Sequence, residues 1–236
     1  MTIIPLQSWG IGDIIFTQTL VHRIADGRPI VWPVLQHFVE GLNRAYPHIT
    51  FVDQQTFQID YDRKDQYEFE HPKLGRCTVL PLRWSDVILK VPYNDCMRAK
   101  YDLYGMDFED WREHAKWLRD GLKELELNKM QHLQKEQPYT FVNGIFGSEC
   151  RLTVKIPENE GAQVFMTVKP GYSLFDWQTL IQNSSCIHTV NTSIIYLLEM
   201  LDLKAPEIHL YQRSIPGQTF DNISYLLKKH RYVFHG

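Results

Sequence analysis

No run of eighteen apolar residues occurs in the chain, so no membrane-spanning helix is expected. The first residues lack a basic segment followed by a long apolar one, which argues against a secretory signal and for a cytoplasmic setting. Cysteine is scarce. Cys77, Cys96, Cys150 and Cys186 stand far apart, with no C-x-x-C pair. That spacing excludes a zinc-ribbon type of site, and a chain of 236 residues can build a core without a disulfide framework. The ten histidines are scattered and form no H-E-x-x-H, so spacing predicts no metal site. Basic residues are not in excess: 25 Lys and Arg face 28 Asp and Glu, a net charge of −3. Nothing in that balance suggests nucleic acid as a partner. The third glycine of a dinucleotide fingerprint is also missing from Gly10-Ile11-Gly12-Asp13-Ile14-Ile15. No acidic residue follows at residues 32–34 to hold a ribose, which disfavours an NAD-type dehydrogenase.

What is present is a folded α/β pattern, 44% hydrophobic and 13% aromatic. Residues 3–6 read as a strand, 8–13 as a glycine turn and 14–24 as an apolar helix ending near Gly27. A second strand follows at 29–34. Apolar residues at 34, 35, 38, 39, 42 and 45 have helical spacing, and 47–52 form a third strand. The order β-α-β-α-β implies a parallel sheet with helices packed on it. Residues 58–61 and 66–69 are expected to form a hairpin around a charged turn, with a strand at 77–82. Phe108, Trp111, Ala115, Leu118, Leu122 and Leu125 recur at helical spacing and predict a long helix within 94–127. The polar stretch 128–138 is the expected linker between domains at 1–130 and 137–236. The second half alternates again. Strands are expected at 139–142, 162–168, 185–190 and 208–211, and helices at 173–183, 194–201 and 220–229. The last helix is a candidate to pack back on the first domain.

In open α/β sheets, ligands bind beyond the carboxyl ends of the strands. Two strand-to-helix turns fit that place. In the first, Gly10 and Gly12 let the backbone turn tightly and approach a bound group, and Asp13 falls in the first helical turn. In the second, Val190-Asn191-Thr192-Ser193, Asn191 is the expected N-cap. The N–H groups of Thr192, Ser193 and Ile194 are then candidates to hold a phosphate. Helix capping alone also accounts for each turn taken singly.

Together the two turns resemble those of the GT-B glycosyltransferases, above all the heptosyltransferase-like group. That group opens with a strand, a G-x-G-D turn and a helix, here Trp9-Gly10-Ile11-Gly12-Asp13-Ile14-Ile15. Late in its second domain it has a strand and a D-T-G-x-x-H-L-A-x-A-L helix start. Here that stretch is Asn191-Thr192-Ser193-Ile194-Ile195-Tyr196-Leu197-Leu198-Glu199-Met200-Leu201. The resemblance implies a compact α/β fold of two Rossmann-like domains facing a central cleft. It implies a nucleotide-diphosphate sugar as donor, a glycan or polysaccharide as acceptor, and no cofactor or essential metal.

The resemblance makes Asp13 the general base. It puts the donor diphosphate on Asn191, Thr192, Ser193, Ile194 and the neighbouring helix amides, with Arg151 and Lys155 of the loop after the first strand of the second domain as cationic partners and Arg213 as a weaker one. Ser8, Trp9, Gly10, Gly12, Lys100 and Tyr101 are candidates to meet the acceptor. The chain departs from the pattern at Asn191, Ser193 and Tyr196, where the group has Asp, Gly and His. With its short length, this leaves a non-catalytic nucleotide- or sugar-binding module as the alternative.

Overall fold

The computed structural model describes residues 1–87, 90, 95–134, 137–146, 150–151, 161–212 and 220–236. The chain divides into two compact units, Met1–Leu118 and Arg119–Gly236.

The first unit begins with β1 (Thr2–Leu6), buried along its whole length. Burial of every residue, Thr2 included, marks a strand covered on both faces. Next come α1 (Ile11–Phe16), α2 (Gln18–Ala25), β2 (Val31–Val34), α3 (Gln36–Ala45) and β3 (Thr50–Asp53). The unit then adds β4 (Tyr67–His71), β5 (Gly75–Pro81), α4 (Trp84–Val87) and α5 (Cys96–Asp102). β1 pairs parallel with β5, and β2 pairs parallel with β3. A parallel Ile3–Ile30 bridge joins the two pairs. The expected β-α-β-α-β unit therefore forms.

Thr17 separates α1 from α2. Its N–H and its hydroxyl both donate to the Asp13 carbonyl, at 3.0 and 2.7 Å. A threonine hydroxyl that bonds back along its own turn competes with helix propagation.

Two expectations fail in this unit. The hairpin is formed by β4 and β5, not by 58–61 and 66–69. Gly75, at φ +69°, closes its turn, a conformation glycine adopts at little cost. The long helix within 94–127 does not form either. α5 ends at Asp102, and Gly105, at φ +63°, reverses the chain. Residues 107–118 then run without helix and are tied to the unit by side-chain and backbone hydrogen bonds. Thr19 Oγ1 donates to the Trp111 carbonyl at 2.7 Å, the Tyr46 hydroxyl to the Ala115 carbonyl at 3.1 Å, and Leu118 N–H to the Ala45 carbonyl at 2.7 Å. Trp111 and Ala115 are buried by this route, while Leu118, Leu122 and Leu125 are exposed. Phe16 sits between Tyr101 and Trp111 with ring centroids 5.1 and 5.6 Å away. His22 on α2 stacks on His114 and meets His48 with Nε2 atoms 3.1 Å apart. Burial, then the charges of His114 and His48, hold its pKa down at about 4.

The second unit starts with α6 (Gly121–Met130), capped by the Asp120 carboxylate. Then come β6 (Tyr139–Asn143), β7 (Ile145–Phe146), β8 (Cys150–Arg151), β9 (Ala162–Phe165), a 3-10 turn (Leu174–Trp177) and α7 (Gln178–Asn183). β10 (Cys186–Val190), α8 (Ile194–Met200), β11 (Ile208–Tyr211), α9 (Asp221–Ser224) and β12 (Tyr232–His235) complete it. Five strands form a parallel sheet in the order β12-β11-β10-β6-β9. The division between units falls before α6, ahead of the polar 128–138 stretch. Buried Glu124 explains why α6 goes with the second unit: it takes an ion pair from Arg119 and the Thr179 hydroxyl at 2.5 Å.

The end of the chain differs from expectation. α9 has four residues, not ten, and the last element is the strand β12. Buried Glu199 of α8 is the cause. It accepts the N–H groups of Lys228 and Lys229, both at 3.1 Å, and the Tyr232 hydroxyl at 2.8 Å. Amides captured this way are withdrawn from a continuing helix, and the chain enters the sheet instead.

Candidate active site

At the carboxyl end of β1, Gln7, Ser8 and Trp9 lead into Gly10, which stands before α1 with φ +81°. Ser8 is buried and Trp9 is 66% exposed. Asp13 lies in the first turn of α1, but no side chain caps that helix. Its carboxylate is committed elsewhere. Oδ1 pairs with Nζ of Lys100, which reaches in from α5 and is wholly buried. Lys100 Nζ also donates to Gln7 Oε1 at 2.9 Å. Gln7 is fixed in turn: its amide donates to the Trp9 carbonyl, and its own carbonyl accepts the Trp32 indole N–H at 3.1 Å.

The other carboxylate oxygen lies over Gly10. A Cβ at that position would stand 2.6 Å from Asp13 Oδ2. The glycine is therefore required twice, by its positive φ and by the close approach of the carboxylate. The Asp13 side chain keeps 30% exposure. The result is a carboxylate with one oxygen held by a buried ammonium and the other turned to a turn that solvent reaches.

This geometry corrects two expected acceptor contacts. Tyr101 is core: it is fully buried, and its hydroxyl donates to the Phe16 carbonyl at 2.7 Å. Burial also pushes its pKa up. Lys100 is also wholly buried, so it acts on Asp13 rather than on an acceptor. Gly12 is buried inside α1.

Among the described residues, hydrogen bonds at the second turn, after β10, join neutral groups. Asn143 at the end of β6 donates through Nδ2 to Thr189 Oγ1 at 3.0 Å and Thr192 Oγ1 at 3.2 Å. Asn191 N–H donates to the Tyr211 carbonyl at 3.0 Å. The residue before α8 is Ser193 rather than Asn191, and its side chain makes no capping bond. α8 thus starts two residues later than an Asn191 cap would place it. Thr192 is nearly buried and Ile194 fully so. Arg151 belongs to β8, but its side chain, Lys155 and Arg213 lie outside the described residues.

Two groupings were not legible as sites in the sequence. Gln7 couples Lys100 to Trp32 across separations of 93 and 25 residues. In the second unit, Cys186, His188 and His209 bring one ligand atom each within 4.8 Å of one another. Spacing predicted no such cluster. Cys186 and His188 are two apart on β10 and share a face, and the parallel register sets His209 of β11 beside His188.

Neither a protein-family model nor a curated protein matches the sequence. Solved structures do match the fold. A glycosyl transferase family 9 protein from Veillonella parvula superposes with a TM-score of 0.54 at 9% identity, over 99% of this chain and 86% of that one. The ADP-heptose lipopolysaccharide heptosyltransferase II of E. coli gives 0.51 at 12% identity, over 99% of this chain and 92% of that one. TibC from enterotoxigenic E. coli, an iron-containing dodecameric glycosyltransferase, gives 0.52 at 12% identity over all of this chain. The chain spans 62% of TibC's length, and TibC has also been solved with ADP-D-β-D-heptose. At these identities the likeness is one of fold, and the fold of this chain is that of heptosyltransferases and family 9 glycosyltransferases.

Proposed function

We propose that the chain is a glycosyltransferase that moves a sugar from a nucleotide-diphosphate donor to a hydroxyl of a glycan or polysaccharide, with Asp13 as general base. The observation that carries this reading is the Asp13 carboxylate. It is held by buried Lys100 and lies over Gly10 at the carboxyl end of a parallel strand, in a fold shared with glycosyltransferases. A base must have a lone pair aimed at the proton it takes. Oδ1 is occupied by the ammonium, so Oδ2 is the oxygen assigned to the acceptor. The acceptor O–H gives its proton to Oδ2 and its oxygen bonds to the anomeric carbon. The bond from that carbon to the donor's phosphate oxygen breaks, and a nucleoside diphosphate leaves.

Charge develops on the leaving phosphate, and N–H and hydroxyl donors around Thr192 and Ser193 are assigned to it, with Arg151 and Lys155 as cations. Acid–base transfer of this kind calls on no metal and no organic cofactor. The chemistry uses soluble nucleotide sugars, in keeping with a cytoplasmic setting.

Exchange of Asp13 for Asn tests the base, but it also strands a buried ammonium. The double variant Asp13→Asn, Lys100→Met removes both charges and isolates the chemistry. Transfer that persists in the folded double variant overturns the assignment. A non-catalytic binding module is the second reading, favoured by Asn191 and Ser193, which stand where the heptosyltransferase-like pattern has Asp and Gly. It predicts stabilisation by nucleoside diphosphates in a thermal-shift series with neither transfer nor donor hydrolysis.

A further inference from the structure

On one face of the second unit's sheet, Cys186, His188, His209, Tyr211 and His235 come from three adjacent strands. We propose that Cys186, His188 and His209 form a binding site for one borderline-soft divalent ion of the Zn2+ class. The site is separate from the transfer chemistry, which uses no thiol or imidazole. One thiol and two imidazoles are the donor set that such an ion selects over Mg2+ or Ca2+. The placement fits a built site rather than a chance surface pair. His188 is 1% exposed, and all three residues stand on paired strands whose spacing the sheet fixes.

The ligand atoms lie within 4.8 Å of one another, and bond lengths of about 2.0–2.3 Å around a tetrahedral ion ask for about 3.5 Å. The missing distance comes from the rings. His188 and His209 stack with centroids 4.4 Å apart and planes 5° from parallel, so their lone pairs run side by side. Turning one ring out of the stack converges them on a common point.

The surroundings suit ligating histidines, whose second nitrogen normally meets an acceptor that fixes the ring. His188 Nδ1 meets the Tyr211 hydroxyl at 2.9 Å. For His209 a partner stands at either nitrogen: His235 Nε2 at 2.9 Å from Nδ1, and Glu207 Oε1 at 3.5 Å from Nε2. Three protein ligands leave the fourth position to water. Loading the ion takes the proton from Cys186 Sγ and releases it to solvent, while both imidazoles bind neutral. Affinity therefore falls as pH falls.

The test uses the full chain without a histidine tag, stripped by chelator and kept reduced. One equivalent of Co2+ is expected to produce a thiolate-to-cobalt charge-transfer band, and Zn2+ is expected to bleach it. Cys186→Ser removes the band, and His209→Gln weakens cobalt binding on the order of 100-fold. Cys77→Ser, a buried thiol in the other unit, leaves both unchanged. Each variant is checked for fold by circular dichroism. Absence of the band in the wild-type chain overturns the site. So does a band that survives in folded Cys186→Ser, or wild-type cobalt affinity in folded His209→Gln.

Discussion

At the turn after β1 a carboxylate and a buried ammonium set the geometry, whereas at the turn after β10 an amide and two hydroxyls do. Both follow parallel strands, both precede short apolar helices, and neither helix has a side-chain cap. Their costs differ. A charge pair with its ammonium wholly buried repays that desolvation poorly and adds little to stability over a well-packed apolar pair. A neutral network such as that of Asn143 costs less to bury. An expensive arrangement at a strand's carboxyl end is what a reactive group looks like, and an inexpensive one is what a shaped ligand-holding turn looks like. On the proposed function, the first turn is the place to seek chemistry and the second the place to seek binding.

Breaking this comparison starts with activity. Asp13→Asn, Lys100→Met should lower transfer by roughly 10²–10⁴-fold, the range for loss of a general base, while Asn143→Ala should act mainly on donor KM. Steady-state kinetics on both variants decide it; equal kcat losses would erase the distinction. Stability comes next. Asp13→Ala alone leaves Lys100 buried without its partner and should cost about 3–5 kcal/mol by denaturant unfolding. Asn143→Ala should cost about 1–3 kcal/mol. Gly10→Ala puts a methyl against Asp13 Oδ2 at a positive φ, for a loss of about 1–3 kcal/mol.

Acid gives a further contrast, by direction only. His22 has a folded pKa of about 4 against 6.5 for the free side chain, so the unfolded chain binds the extra proton. The stability this confers is full above pH 6.5 and is lost as pH falls toward 4. His22→Gln should flatten that slope in a series of thermal midpoints. The smallest effect is expected at Ser193→Ala. The side chain makes no capping bond, so the change should stay within about 0.5 kcal/mol and leave donor affinity to the backbone N–H groups.

Much of the fold was legible because continuous apolar strands and alternating periodicity report local structure. β1, β2, β3, β6, β10 and β11 all stand where apolar runs placed them. The stripe from Phe108 to Leu125 misled because burial was achieved without a helix. Gly105 turns the chain, and carbonyls of Trp111 and Ala115 accept the hydroxyls of Thr19 and Tyr46 from distant elements. β12 was invisible because Glu199, 29 residues upstream of Lys228, decides where the preceding helix stops.

The candidate site was half legible. Gly10 and Asp13 carried a local motif, and the structure places both at the strand-to-helix turn that the motif implied. Lys100 did not, since its contact with Asp13 spans 87 residues and only tertiary structure supplies it. Cys186 and His209 were unreadable as a pair for the same reason: register across a parallel sheet, not spacing along the chain, makes them neighbours.

Thr17 adds a consequence of its own. It grips the Asp13 carbonyl with both N–H and hydroxyl, while Lys100 grips the carboxylate at the far end of the same residue. Asp13 is therefore anchored at backbone and side chain before any acceptor arrives. Immobilising a rotamer-rich side chain on binding costs roughly 0.5–1.5 kcal/mol, and here that ordering is done during folding instead. On the proposed function, an acceptor at Asp13 would meet a residue with little freedom left to surrender, the condition under which a weakly held hydroxyl can still be aligned for attack.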